Sequence, residues 1–390
     1  MQTAVRDVRV AFVTNFAPHY RVKMFEALAG LCDLRCYFHS DGGEWYWQRA
    51  HGVQRGDFRC EYLRGFRLGR MRIVPRLAPA LLFGGHDVVI KCINDRFALP
   101  VAYLAARLRG APFVLWTGVW CRLNTPAQRL LYPLTRRLYR RADAIVAYGE
   151  HVRRYLISEG AAPDRIFLAP QAVDNAHYSQ AVPESERESL RGRLGIPPAE
   201  KVLLYTGRLE PAKGLEYLLE GFARRAHHGS VLVLCGAGSL ESDLRRRAAR
   251  LEIAGRVLFA GYVPVAETLR YYSIAWAAVL PSVSMPEGRE TWGLVANEAF
   301  NQGVPMVASD AVGAAAGGLV RHLETGLVVP ERDAAALGEA LDRIVRDEGL
   351  RNRLGENARR EVAHWTQAAM AAGFLEAVRF ALARKRGRRT

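Results

Sequence analysis

Short apolar runs alternate with amphipathic stretches along this chain, then the pattern breaks and starts again. In the first half "VRVAFVTNF", "LRCYFH", "DVVIKC", "PFVLWT", "AIVAYG" and "RIFLAP" are short, rich in β-branched or aromatic residues and ended by turn formers, so they read as strands. Between them lie helical patterns such as "RVKMFEALAGL", "RFALPVAYLAARLRG" and "QRLLYPLTRRLYRRA". Strands separated by helices cannot form hairpins, and the alternation predicts a parallel sheet with helices on both faces. The break is "DNAHYSQAVPESERESLRGRLGIPPAEK", polar, strandless and holding three prolines. Ser185 and Glu188 have the spacing of a capping box there. The alternation resumes with "KVLLYTGRL", "SVLVLCGAG", "RVLFAGYV", "AAVLPS", "VPMVAS" and "GLVVP". The expectation is α/β: two doubly wound domains facing one another, 1–180 and 181–370, with a final helix and basic tail over 371–390. Ligands of such sheets sit beyond the carboxyl ends of the strands.

A length of 390 residues fits about two cores. No apolar run reaches the roughly 18–20 residues of a membrane span. The most apolar stretch, "FALPVAYLAARLRGAPFVLW", is broken by Arg107, Arg109 and Pro112. "VRVAFVTNF" reads as a strand with no cleavage site after it, so a cytoplasmic protein is expected. The six cysteines form no Cys-x-x-Cys pair and the ten histidines no His-Glu-x-x-His helix, which disfavours zinc sites, disulfide frameworks and metal hydrolases. No metal and no cofactor is expected. Of the +16 net charge, residues 1–178 carry +12 (26 Lys and Arg against 14 Asp and Glu) and the tail "ARKRGRRT" five, which leaves residues 179–382 at −1. A basic half beside a neutral one suggests an anionic surface or polymer as partner, or else only an arginine-rich composition.

Three stretches carry candidate chemistry. In "VLLYTGRLEPAKGLEYLLEGF" a strand passes through Gly207 to a loop where Arg208 and Lys213 are placed to grip a diphosphate or simply to face solvent. "VLVLCGAGSLESDLRRRA" has a Gly236-x-Gly238 turn, but Glu241 replaces the third glycine of a dinucleotide fingerprint, so a nicotinamide site is disfavoured. The two glycines serve either close approach to a ligand or a tight turn. In "VLPSVSMPEGRETWGLVANEAFNQGVPMVASD" a helix starts near Gly293, where outward N–H groups and the helix dipole suit an anion. Glu290 lies before that start and Glu298 inside it. Eight residues at 1.5 Å span at most about 12 Å, comparable to the reach from a sugar across a diphosphate to a ribose.

Together "GRLEPAKG", "GAGSLESDL", "FAGYV" and "PEGRETWGLVANEAFNQGVPMVASD" resemble the retaining glycosyltransferase family 4 with the GT-B fold. The likeness continues through "AVGAAAGGLV" and "TGLVVPERD", and more loosely covers "TNFAPHYRVKMFEAL" and "ADAIVAYGEHVRRYLISEGAAPDRIFLAPQAVD". The resemblance implies two Rossmann-like domains across a cleft, an acceptor-side domain first and a donor-binding domain second, with the last helix crossing back to the first. It implies that Arg208 and Lys213 bind the donor diphosphate and stabilise its departure. Glu290 matches the first carboxylate of the paired-Glu motif, beside the anomeric carbon, and Glu298 the second, on the ribose hydroxyls. Gly293, Leu294 and Val295 match backbone that meets the phosphates, with Gly207, Gly236 and Gly238 also on the donor side. Tyr262 and Val263 match the strand end that frames the base.

The chain departs from the family pattern twice. A Gly-Gly turn common after the first strand is replaced by "NFAPHYR", and a His common after a middle strand by "LWTGVW". His19, Tyr20, Arg21, Thr117 and Gly118 are therefore the acceptor-side candidates. With no Asp-x-Asp motif, a metal-independent, retaining hexosyltransferase is expected, its leaving group neutralised by cationic side chains. By the resemblance, the departing phosphate oxygen takes the acceptor's proton on the same face. The expected donor is a UDP-sugar, with GDP- or dTDP-sugars open, and the expected acceptor is lipid-linked, in bacterial surface glycan or glycolipid synthesis. The basic stretches "RGFRLGRMRIVPRLAPALLF" and "YPLTRRLYRRA" suggest peripheral association with the anionic inner face of the cell membrane. The rival readings are a soluble transferase acting on a small molecule, a GT-B epimerase or phosphorylase, and a basic nucleic-acid-binding protein. The last would need more aromatics among its arginines, so no nucleic acid is expected.

Overall fold

The computed structural model describes residues 5–40, 56–69, 71–226 and 228–387. The first sheet is built from β1 (Arg9–Thr14), β2 (Asp33–Phe38), β3 (Arg59–Tyr62), β6 (Val88–Cys92), β7 (Phe113–Thr117), β8 (Ala144–Ala147) and β9 (Ile166–Leu168). Its order is β3-β2-β1-β6-β7-β8-β9, and every pairing is parallel. Between β3 and β6 the chain forms a small antiparallel pair, β4 (Phe66–Leu68) with β5 (Met71–Ile73), and the helix Leu77–Phe83. None of β3, β4, β5 or that helix is evident in the sequence pattern. β3 is half-buried along its length and takes its place from β2, to which it pairs from Arg35↔Arg59 to Phe38↔Tyr62.

Both faces of this sheet are covered, which is why its strands read as apolar runs rather than alternations. On one face Phe12, Phe38 and Trp116 pack against Phe25 of the helix His19–Ala29 and against Met370 and Phe374 of the helix Gln367–Gly387. On the other, Tyr37, Phe113 and Leu115 meet Leu77, Leu81, Ala102, Tyr139 and Val152 from four more helices.

The second sheet contains β10 (Lys201–Thr206), β11 (Ser230–Cys235), β12 (Val257–Gly261), β13 (Ala277–Leu280), β14 (Met306–Ser309) and β15 (Gly326–Val329). It runs β12-β11-β10-β13-β14-β15, again parallel throughout.

The chain divides into two compact units, the first holding residues up to Trp120, Pro126–Gln171 and everything from Gln367, the second Cys121–Thr125 and Ala172–Thr366. Both boundaries differ from the expected ones. Asn175 donates to the carbonyls of Val362 and Trp365 and accepts from Asn301, so residues after Gln171 already belong to the second unit. The expected cut at 370/371 falls inside the single helix Gln367–Gly387. The capping box is also absent: Ser185 lies within the helix Glu184–Arg193, which starts after Pro183 with no side-chain cap. Proline already presets the entry, and its carbonyl accepts the N–H groups of Glu186 and Arg187. Among the described residues no helix is long and apolar enough to cross a membrane.

Candidate functional site

In the second sheet the strand order reverses between β10 and β13, so the loops at their carboxyl ends diverge and leave a crevice at that switch point. Residues 207–214 follow β10 and residues 281–294 follow β13. The first loop is held by its neighbour. Gly207 N–H donates to Cys235 O (2.9 Å), Leu209 N–H to Ala237 O (3.0 Å) and Leu240 N–H back to Leu209 O (3.0 Å). A Cβ on Gly236 would lie 1.8 Å from Gly207 O, and one on Gly238 2.3 Å from Leu209 O. These two glycines therefore admit the backbone that carries Arg208.

The two loops at the switch point are also stitched together. Val283 N–H donates to Ala212 O (2.9 Å), and Gly214, at φ +62°, sits so close to Pro281 that a Cβ would approach its carbonyl oxygen to 2.1 Å. This seam delivers Lys213 to Glu290 across 77 residues of sequence, and the two form an ion pair. Ser282, fully buried, donates to the same carboxylate oxygen at 3.2 Å. The Glu290 backbone is fixed as well, accepting from Gly313 N–H at 3.0 Å. Burial pushes the Glu290 carboxyl up, but Lys213, Ser282 and the charge of Arg208 together hold it below its ordinary value. Lys213 and Glu290 are 15% and 19% exposed, so this charge cluster is largely desolvated yet still reachable. In such a cluster the ionised carboxylate can face developing positive charge while the two cations hold a leaving anion.

Glu298 stands in the helix Val295–Asn301. Gly293, at φ +91°, lets the chain turn into that helix against Leu280, whose ladder begins with Ala296 N–H on Gly293 O. The N–H groups of Leu294 and Val295 precede that first bond and fall outside the ladder. Trp292, buried behind the turn, donates to Asn297 Oδ1 (2.8 Å) and packs on Trp365 at 5.0 Å. The Glu298 carboxyl is raised by burial, which outweighs the hydrogen bond from Tyr272. Tyr272 Oη donates to Glu298 Oε2 at 2.7 Å, and Thr206, the last residue of β10, lies 2.7 Å from that same Oη. Gly261, before Tyr262 and Val263, accepts from Gly236 N–H at 2.7 Å; Tyr262 is exposed and Val263 half-buried.

Among the acceptor-side candidates His19 and Tyr20 are half-buried at the start of their helix. Arg21 points inward instead. It is buried, donates to Gln171 and to Met370 Sδ, and lies over the rings of Tyr20, Trp116 and Tyr148 at 5.2, 5.3 and 5.7 Å. Thr117 is fully buried and accepts from Val119 N–H (3.1 Å), while Gly118 lets Tyr148 lie where a Cβ would be 2.6 Å from its ring. Arg21, Thr117 and Gly118 are thus buried rather than solvent-facing. Sequence reasoning passed over Ser282, Tyr272, Tyr178, Thr206 and Gly214. Only Gly214 left a signal, a glycine directly before a helical pattern.

Residues 22–177 match the family model described as Glycosyltransferase Family 4, and residues 186–361 the model described as Glycosyl transferases group 1. Over 72% of its length the chain is 32% identical to a D-inositol 3-phosphate glycosyltransferase of Frankia alni, covering 72% of that protein. The chain belongs to glycosyltransferase family 4. A second relative with that name, from Nocardia farcinica, is 32% identical over 62% of this chain, and the chain spans about half the length of most curated relatives it matches. The family 4 fold recurs in solved structures of low identity. Anabaena Alr3699/HepE in complex with UDP has a TM-score of 0.76 at 18% identity, covering 95% of this chain and all of that one. WaaG, a glycosyltransferase involved in lipopolysaccharide biosynthesis, has a TM-score of 0.70 at 18% identity over 95% and 99% of the two chains. The two parallel-sheet α/β units of this chain are of the GT-B class.

Proposed function

We propose that this chain is a retaining hexosyltransferase that moves a sugar from a nucleoside-diphosphate sugar to a lipid-linked acceptor at an anionic membrane surface. The observation that carries the reading is the ionised Glu290, held between Lys213 and Ser282 with Arg208 nearby, at the switch point of the second sheet. In this reading Arg208 and Lys213 take the diphosphate as its charge grows, which removes the need for a metal. Glu290 faces the anomeric carbon, where the transition state carries positive charge. Glu298 holds the ribose, and the backbone at 293–295 meets phosphate oxygens. The departing phosphate oxygen accepts the proton of the attacking hydroxyl. UDP is the favoured nucleotide, supported by the UDP and UDP-glucose complexes of Alr3699/HepE.

The lipid-linked acceptor is supported by the first unit's surface. The helix Pro126–Arg141 has no acidic residue and leaves Leu130 80% and Leu134 65% exposed on the stripe that also carries Arg137 and Arg141. Phe66, Leu68 and Phe83 are also exposed, in the stretch that carries Arg67 and Arg76. Arg70 of that stretch and Arg388 and Arg389 of the tail lie outside the described residues. A second reading, a small phosphorylated polyol as acceptor, is favoured by the name of the curated relatives.

The test is a Glu290→Gln variant with a panel of nucleotide sugars. A bound donor at 100 times its dissociation constant adds about 2.7 kcal/mol to wild-type stability. The variant is expected to keep UDP affinity within a few fold while losing turnover by on the order of 10²-fold or more. Retained turnover removes Glu290 from the chemistry. An epimer formed from nucleotide sugar alone would mean an epimerase instead.

A further inference from the structure

The Glu298 carboxylate sits at the end of a directed chain of hydroxyls. A carboxylate only accepts, so the single Tyr272 proton goes to Glu298 Oε2, 2.7 Å away. Tyr272 Oη then has only lone pairs left for Thr206, whose hydroxyl must donate to it, also at 2.7 Å. Both donors of this chain are set in regular structure: Thr206 closes β10 and Tyr272 lies in the helix Val265–Ser273, and both are buried. Tyr178 closes the side, its ring edge-on to Tyr272 at 6.3 Å and its hydroxyl 3.4 Å from Thr268 Oγ1. The carboxylate is thereby oriented by the Tyr272 phenol, and with about four acceptor positions it retains capacity for at least two more donors.

Two donors side by side on a carboxylate are what the vicinal 2′- and 3′-hydroxyls of a ribose supply. We infer that Tyr272 is a positioning residue that makes the donor site select a ribonucleotide over its 2′-deoxy counterpart, by fixing Glu298 through the chain that begins at Thr206. This rests on the reading of Glu298 as the ribose-holding carboxylate. With the carboxylate fixed, a missing 2′-hydroxyl leaves a desolvated acceptor unpaired, and sites built around a hydroxyl reject the analogue that lacks it. With Tyr272 Oη removed, Glu298 is free to turn toward Tyr178 or solvent, and the penalty for the missing hydroxyl shrinks. The selectivity belongs to the sugar and is independent of the base.

Calorimetric titration of the full chain with UDP and 2′-deoxy-UDP, and with GDP and 2′-deoxy-GDP as the base control, tests this. The wild type is expected to prefer the ribonucleotide by on the order of tenfold. Tyr272→Phe is expected to cut that ratio at least about threefold while the deoxynucleotide affinity changes by less than about twofold. Thr206→Val removes only the far donor and is expected to lower the ratio by a smaller factor, keeping the question answerable if Tyr272→Phe does not fold. A Tyr272→Phe protein that weakens both nucleotides equally, or keeps the wild-type ratio, overturns the proposal. So does a wild-type ratio in Thr206→Val when Tyr272→Phe is unfolded. Glu298→Gln separates the two levels. If it leaves the ribose preference intact, the reading of Glu298 fails; if it abolishes the preference and Tyr272→Phe does not lower it, only the inference fails.

Discussion

At the scale of single residues, the Lys213–Glu290 pair changes what a substitution there should do. From the sequence, Lys213 is a loop cation whose removal costs turnover more than stability. In the structure it is the main partner of a largely buried carboxylate, and removing one member of such a pair costs up to about 3–5 kcal/mol because the other charge is stranded. Lys213→Ala is therefore expected to melt well below wild type, and Lys213→Ala/Glu290→Gln to recover much of that loss. Equal stabilities for single and double variants, read by denaturant titration, would show the pair is too solvated to matter. The two carboxylates also separate in pH. Glu290 is held below its ordinary value, so its stabilising contribution is present above the unfolded value and disappears as the pH falls through its lower folded value. Glu298 is raised, so it takes up its proton first on acidification. In the proposed reading the KM for donor rises in mild acid before kcat falls, and Glu298→Gln removes the KM limb. Parallel loss of both parameters in the wild type would contradict this order.

At the scale of elements, the site depends on backbone approaches that only glycine permits. Ala at Gly214 would be strained at φ +62° and would drive a Cβ to 2.1 Å from Pro281 O, at the seam joining the loops of Lys213 and Glu290. Gly214→Ala is expected to cost about 2 kcal/mol or more, combining left-handed strain with overpacking, and to reduce turnover through loss of the Lys213–Glu290 contact. Gly192 is the contrast. It lies in the exposed helix Glu184–Arg193 with open space around it, and Gly192→Ala should stabilise by about 0.5–1 kcal/mol. Thermal unfolding of both variants checks the pair of signs.

At the scale of the whole molecule, the proposed membrane reading joins the charge imbalance along the chain to the exposed Leu130 and Leu134. Each cation near an anionic bilayer contributes on the order of 1 kcal/mol at modest ionic strength, and this decays within a Debye length of about 10 Å at 0.1 M salt. Co-sedimentation with vesicles containing anionic lipid is expected at low salt and to weaken at high salt. Leu130→Glu/Leu134→Glu should weaken it further without lowering donor affinity. A protein that stays in the supernatant at low salt refutes the membrane reading and favours the small polyol acceptor.

The doubly wound α/β character, the two repeats of it and the candidates Arg208, Lys213, Glu290 and Glu298 were legible in the residue order. Strands buried on both faces leave continuous apolar runs, and helices leave a 3.6-residue period, so each element marks itself locally. Partners do not. Glu298 meets Tyr272 across 26 positions and Glu290 meets Lys213 across 77, and no local pattern encodes which loops a sheet order brings together. β3 escaped notice because a short, half-buried edge strand owes its conformation to pairing with β2 rather than to its own pattern. Arg21 is an acceptor-side candidate by its place in "NFAPHYR" after the first strand, and only the packed unit supplies the Gln171 and three rings that receive it. Gly236 and Gly238 are visible as glycines in any reading, but that their missing side chains make room for the Gly207–Leu209 backbone is a fact of tertiary distance. Periodicity travels along the chain, whereas hydrogen-bond partners and close approaches exist only once the sheet order has been set.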